Sequence, residues 1–384
     1  MKILLVSLLK RAITQKTTAS RPRVIYDIAT SLIQQGHEVH VLATGDSHIE
    51  GATIIPVVER EMISMPVFEN EFYAETAYLV KMARMVQSIA PDYDIIHNHT
   101  YPEHINLLIS DQIKTPFLTT IHAQMSQPQD QALSLFPQHT FVSISNSHKN
   151  MFKKTAIEHV IYNGIDTNQY AFSAESEDYM LWLGRLSKAK HSDGSFQDPK
   201  GIQWAIQLAQ KSGRKLLLSG NVEDMQFFDQ QVRPHLNEKI QWIGDVSAEH
   251  PLSRLQVIKL MQRAKVYLMT INWNEPFGLV MTEAMSCGTP VIAYDKGSTT
   301  EIVDDGKTGY LINHPDNTTP MSYVCEKSGI DGLVQAVDHI YELTNEQYAH
   351  MRQTSRQHVE SKFSLHTMVE NYISLYKNLV TSIG

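Results

Sequence analysis

The sequence predicts an α/β protein built from two doubly wound domains, and three observations carry that expectation. Short apolar runs alternate with amphipathic helical segments along most of the 384 residues. The alternation breaks once, in a polar stretch near residues 165–178, and then starts afresh. The length suits two domains at about 100–200 residues each.

Each element has its own warrant. Ile3 to Leu9 is an apolar run broken only by Ser7. It is too short to span a bilayer, which takes about 20 residues. Its basic residues, Lys10 and Arg11, follow the run rather than precede it, unlike a secretory signal. It therefore reads as a first buried strand, with a cytoplasmic location expected. Val24, Ile25, Ile28, Ala29, Leu32 and Ile33 share one helix face, and Gly36 is placed to end that helix. Strands follow at Glu38–Ala43, Tyr93–His97, Phe117–His122 and Phe141–Ser145. Beyond the Tyr162-Asn163-Gly164 turn, strands are expected at Tyr179–Leu183, Lys215–Ser219, Ile240–Ile243, Val266–Thr270 and Val291–Tyr294. From about residue 329 the chain reads as helical, with breaks near Thr344 and Phe363. Near-continuous apolar strands separated by helices indicate parallel sheets covered on both faces. Ligands of such sheets bind beyond the carboxyl ends of the strands. The polar, Gly-containing stretch Ser187–Asp198 reads as a mobile loop.

Composition excludes several classes. Hydrophobic residues make up 42% and charged residues 19%, the balance of a globular protein. The net charge of −8 argues against nucleic-acid binding. Two cysteines, Cys287 and Cys325, allow neither a disulfide framework nor a Cys-rich zinc site. No Walker phosphate loop or Gly-x-Gly-x-x-Gly fingerprint is present, which weighs against kinases and dehydrogenases.

The segment Asn274–Pro290 carries the most chemistry. Glu275 follows a strand, Pro276 and Gly278 shape a turn, and a helix can run from near Leu279 to Gly288. The free N–H groups at such a helix start favour a diphosphate. Glu275 before the helix and Glu283 one turn inside it can address two ends of one ligand. His97 and His99 share a strand face and offer a competing reading as metal ligands, although no third ligand is evident.

The string from Glu275 to Glu283, with seven residues between the glutamates, resembles the signature of the family 4 retaining glycosyltransferases. The resemblance extends over nearly the whole chain, through Asp94-Ile-Ile-His97, Thr119-Thr-Ile-His122, Val160-Ile-Tyr-Asn-Gly-Ile-Asp166, Leu183-Gly-Arg185 and Glu301-Ile-Val-Asp-Asp-Gly-Lys-Thr-Gly309. It implies the GT-B fold: two Rossmann-like domains facing across a cleft, residues 1–168 on the acceptor side and 169–364 on the donor side. The last helix, 365–384, is then expected to pack back on the first domain. It also implies transfer of a sugar, with retention, from a nucleotide-diphosphate sugar to an acceptor hydroxyl. The donor is expected to be a UDP-sugar, used without a metal. The acceptor is expected to be a carbohydrate or a lipid-linked molecule, with peripheral membrane contact.

By the same resemblance, Arg185 and Lys200 neutralise the donor diphosphate, and the backbone of Phe277, Gly278, Leu279 and Val280 holds phosphate and sugar. Glu283 takes the ribose hydroxyls, Glu275 the hydroxyls of the transferred sugar, and His122 lies near the scissile bond. Fourteen residues separate Arg185 from Lys200, more than in relatives, so 187–198 reads as an insertion. Where relatives carry a Gly-Gly pair after the first strand, this chain has Ala19-Ser20. The loop here contains Lys10, Arg11, Lys16, Arg21 and Arg23. These basic side chains are expected to stand in for backbone N–H groups and favour an anionic acceptor. An epimerase or phosphorylase on the same fold, and a binding protein without turnover, remain as alternatives.

Overall fold

The structure, a computed structural model, describes residues 1–17, 19–66, 68–186, 188–246 and 252–382. The chain divides into two compact units: Met1–Asp166 with Ser364–Gly384, and Thr167–Phe363.

The first unit holds a seven-stranded parallel sheet. Its strands are β1 (Lys2–Val6), β2 (Glu38–Thr44), β3 (Thr53–Val58), β4 (Ile95–Asn98), β5 (Phe117–Ile121), β6 (Thr140–Ser143) and β7 (His159–Val160). Their order is β3-β2-β1-β4-β5-β6-β7. The chain therefore steps outward one way from β1 and the other way from β4. That reversal between neighbours leaves an open crevice at their carboxyl ends. The second unit repeats the device with β8 (Met180–Leu186), β9 (Leu216–Val222), β10 (Ile240–Trp242), β11 (Val266–Met269), β12 (Val291–Tyr294) and β13 (Gly309–Ile312). Its order is β10-β9-β8-β11-β12-β13, with the reversal between β8 and β11.

Several expectations need correction. The first strand ends at Val6, and Leu9 is buried in the core beyond the ladder, so the apolar run recorded burial rather than strand length. The first helix starts at Ser20, which places Arg21 and Arg23 inside it rather than in the loop. The strands β3, β7 and β13 escaped the sequence reading. Part of the stretch read as a mobile loop is anchored: Lys190 bridges Phe196, Phe196 packs edge-on against Phe227, and Asp198 accepts from the N–H groups of Ile202 and Gln203. Ser187, where that stretch begins, lies outside the described residues, as do residues 383 and 384 of the predicted last helix.

The C-terminal helices are Gly329–Glu342, Asn345–Lys362 and Leu365–Thr381, with caps at Thr344 and Ser364. The last belongs to the first unit, where Leu365 N–H donates to the Ile165 carbonyl. In the second unit Arg352 is fully buried and acts as a hub. Its guanidinium donates to the carbonyls of Ser173, Ala264, Gln262 and Cys287 and to the Tyr348 hydroxyl. Every face of this cation is matched, so its burial is tolerable. Arg352→Met should strand several of these carbonyls and lower unfolding free energy by about 3–5 kcal/mol, measured by urea denaturation.

Candidate active site

In the second unit the candidate residues gather at the reversal between β8 and β11. Arg185 sits near the end of β8, 58% exposed, with Glu223 3.5 Å away. Lys200 is distant in sequence but reaches the same edge. The Trp182 indole donates to the Lys200 carbonyl, the Asn272 N–H to that of Pro199, and the Thr270 hydroxyl to that of Gly201. The chain approaches β11 so closely here that a Cβ on Gly201 would stand 1.5 Å from the Thr270 carbonyl oxygen, and its φ is +68°. Only glycine fits. The excursion between Arg185 and Lys200 thus returns the lysine to the strand it left.

Lys200 Nζ lies 2.6 Å from Glu275 Oε2 and 4.4 Å from the centre of the Trp273 ring. The Trp273 indole N–H donates to the same carboxylate oxygen at 3.1 Å. Glu275 is therefore fixed by two donors. The loop after β12 clamps the backbone behind it: Ser298 N–H donates to the Glu275 carbonyl, and Ser298 Oγ to that of Phe277. Gly297 makes this possible, with φ of +65° and no room for a Cβ beside Glu275.

Gly278 turns through φ +83° and starts the helix Leu279–Ser286 with no side-chain cap. Leu279 and Val280 follow it in the first turn, where backbone N–H groups lack intrahelical partners. Phe277 is buried with its ring against Phe363. Glu283 is buried in the helix and accepts from the Tyr170 hydroxyl at 3.0 Å. Trp273, Gly297, Ser298 and Tyr170 were missed in the sequence. The signal available for them was position: each of the first three lies just past the end of a strand.

In the first unit His122 follows β5 directly, and its Nε2 lies 2.8 Å from His99 Nδ1. His97 stacks on His99 with ring centres 3.8 Å apart. Its own nitrogens are both engaged, with the Tyr376 hydroxyl at 2.6 Å and the Thr120 hydroxyl at 2.7 Å. That commitment removes His97 as a metal ligand. Among the described residues no cluster of three His, Cys, Asp or Glu is placed to hold a metal ion. Burial holds His97 and His122 well below the ordinary histidine range, and His99 at about 3.

Lys10, Arg11 and Lys16 are exposed on the loop after β1. Ala19, at the position of the expected glycine pair, has φ −67° and ψ 135°, extended backbone that any residue adopts. Ser20 is already helical. The substitution costs no strain.

Residues 168–320 match the family model for glycosyl transferases group 1, and residues 22–169 the model for glycosyltransferase family 4. N-acetyl-alpha-D-glucosaminyl L-malate synthase of Bacillus anthracis is 24% identical, over 92% of each chain. Spore coat protein SA of Bacillus subtilis is 20% identical, over 92% of this chain and 94% of its own. Sucrose-phosphate synthase from Thermosynechococcus elongatus superposes with a TM-score of 0.78 at 16% identity, covering 100% of both chains. Anabaena HepE, solved with UDP and glucose, gives 0.70 at 19% identity, covering 98% of this chain and 100% of its own. At these identities the structural likeness shows the fold, GT-B.

The buried histidines make stability depend on pH. Their folded pKa values lie below the unfolded value of 6.5, so the unfolded chain binds more protons under acid conditions. Stability is then full above about pH 6.5 and falls below it, each such histidine adding a slope of about 1.4 kcal/mol per pH unit until its folded pKa is reached. Urea midpoints from pH 7.5 down to 4.5 should show this decline, and His97→Gln should make it shallower.

Proposed function

The chain belongs to the family 4 glycosyltransferases, and from that premise we propose that it is a retaining enzyme using a nucleotide-diphosphate sugar without a metal. The observation that carries the donor side is the gathering of Arg185, Lys200 and an uncapped helix start at the carboxyl ends of β8 and β11. These are the groups a leaving diphosphate needs: a forked donor, a point charge and oriented backbone N–H groups. They stabilise charge as it develops, which is usually the largest contribution an enzyme makes.

Glu275 takes hydroxyls of the transferred sugar in this reading, and Lys200 exchanges part of its contact with Glu275 for phosphate oxygens when donor binds. Glu283 takes the ribose. His122 is read as the residue near the scissile bond, uncharged over the working pH range. Retention follows if the acceptor hydroxyl attacks the face the diphosphate leaves, with the leaving phosphate accepting its proton. A UDP-sugar is the favoured donor, a reading supported by the UDP and glucose in the Anabaena structure. A thermal-shift comparison of UDP-, GDP- and ADP-sugars tests it, since bound donor stabilises by mass action. A selective shift with another base would replace UDP.

Arg185 is exposed and, among the described residues, makes one ion pair, at 3.5 Å, so Arg185→Ala should leave the melting temperature nearly unchanged. Loss of a charge-assisted contact of about 1.5–3 kcal/mol should lower kcat/KM about 10- to 150-fold. Unaltered nucleotide release from the variant would remove Arg185 from the site. Transfer should also survive EDTA. Loss on chelation with recovery in magnesium or manganese would overturn the metal-independent reading.

A further inference from the structure

Arg352 and Arg21 are both mostly buried and invite contrast. Arg352 has a partner on every side. Arg21, in the first turn of the helix Ser20–Gln34, has a side chain only 15% exposed, yet its guanidinium makes no hydrogen bond among the described residues. Its nearest charged partner is Glu103 at 3.6 Å, beyond hydrogen-bond reach, and the Tyr101 ring lies 5.1 Å away. Its N–H donors thus make no hydrogen bond to a described residue, and they face a narrow opening to solvent rather than a sealed interior. A cation so placed, with one loose ion pair and no hydrogen bond, leaves donors that water or a ligand must satisfy.

The surroundings repeat the mismatch. His99 Nε2 and Glu103 Oε1 are both buried without a hydrogen-bond partner. His99 Nδ1 lies 2.8 Å from His122 Nε2, and the Arg21 charge acts on both rings, so His99 links this place to the predicted reacting histidine. Glu103 is steadied from its other oxygen by Gln129 Nε2 at 3.1 Å, which leaves it to hold Arg21 in place from within. The helix that carries Arg21 has no side-chain cap and no acidic residue in its first turn. Residues 1–23 contain six basic side chains and no acidic one. The Glu103 carboxylate balances the Arg21 charge from the inner side.

We propose that Arg21 is the binding residue for an oxyanion, carboxylate or phosphate, carried by the acceptor, with Glu103 positioning the guanidinium and His99 completing the polar wall. The inference rests on the glycosyl-transfer reading for the word acceptor, while the anion site itself stands independently of it. It moves acceptor recognition from the exposed Lys10, Arg11 and Lys16 to an arginine fixed beside His122. A guanidinium offers a carboxylate or phosphate two parallel hydrogen bonds, which a surface lysine cannot.

The test has a binding arm and a kinetic arm, both on the full chain. Calorimetric titration with inorganic phosphate is run in an Arg185→Ala background, which removes the main diphosphate ligand of the second unit. Arg21→Gln should then weaken phosphate binding about 10- to 100-fold, and Arg21→Lys by less. Unchanged phosphate affinity in Arg21→Gln overturns the site, whether or not the chain transfers sugar. For turnover, neutral hexoses, hexose 6-phosphates and hexuronic acids are compared as acceptors at saturating donor. Arg21→Gln should raise KM for the charged acceptors at least about tenfold, and leave donor KM and the KM for neutral hexoses unchanged. Preference for phosphate over carboxylate, or the reverse, identifies which oxyanion the acceptor carries. A rise in donor KM alone, or equal losses for neutral and charged acceptors, overturns the assignment. Arg21→Lys, which keeps the charge beside Glu103, covers the case in which the glutamine variant does not fold; wild-type phosphate affinity and acceptor KM in that variant would then overturn the site.

Discussion

The donor side of this molecule depends on one close approach: the backbone of Gly201 against the carbonyl of Thr270. The strand order of the second unit guarantees a crevice between β8 and β11, but a crevice alone holds nothing. The chain leaving β8 must first make its long excursion and then return so tightly that no side chain fits at residue 201. The hydrogen bonds from Thr270 and Asn272 to that returning segment fix it against β11. Lys200, one residue earlier, then meets Glu275, which leaves β11 by the next loop. Glu275 is in turn clamped from β12 through Gly297 and Ser298. Three strand ends therefore converge on one carboxylate, and two glycines without room for a Cβ make that geometry possible.

The first unit uses a different economy. Its candidate groups are histidines packed without charge, and their neutrality is imposed by burial. The last helix contributes to this directly. Tyr376 holds His97, Tyr372 holds Thr120, and Thr120 holds the other side of His97. His97 stacks on His99, which in turn touches His122. A helix at the far end of the sequence thus sets the orientation of a ring beside the predicted reacting centre. This gives the return of the chain to the first unit a role beyond covering apolar surface.

Much of the fold was legible because its signals are local. The apolar runs that became β5 and β12 are buried along all or nearly all of their length, and their composition says so. The breaks at Thr344 and Phe363 were legible because capping chemistry is written in adjacent residues. The strands that escaped lack such signals: β3 carries Pro56 at the sheet edge, β7 has two residues, and β13 opens with Gly309. Glu275 and Glu283 stood out because they lie in one contiguous segment. Trp273, Ser298 and Tyr170 could not, since what makes them matter is the meeting of loops from different strands.

The basic residues after β1 show the same limit from the other side. In sequence, Lys10, Arg11, Lys16, Arg21 and Arg23 form one undifferentiated cluster. What separates them is where the helix begins. Because Ala19 takes ordinary extended backbone and Ser20 is the first helical residue, Arg21 falls in the first turn and is carried inward, while Lys10, Arg11 and Lys16 stay exposed. Two glycines at 19 and 20 would make this helix start far less determined, since glycine leaves φ and ψ almost free. Ala19-Ser20 is therefore better understood as fixing the entry of the helix than as a lost backbone contact. An unstrained entry gives Arg21 one defined position, and a buried guanidinium can serve recognition only when its position is defined.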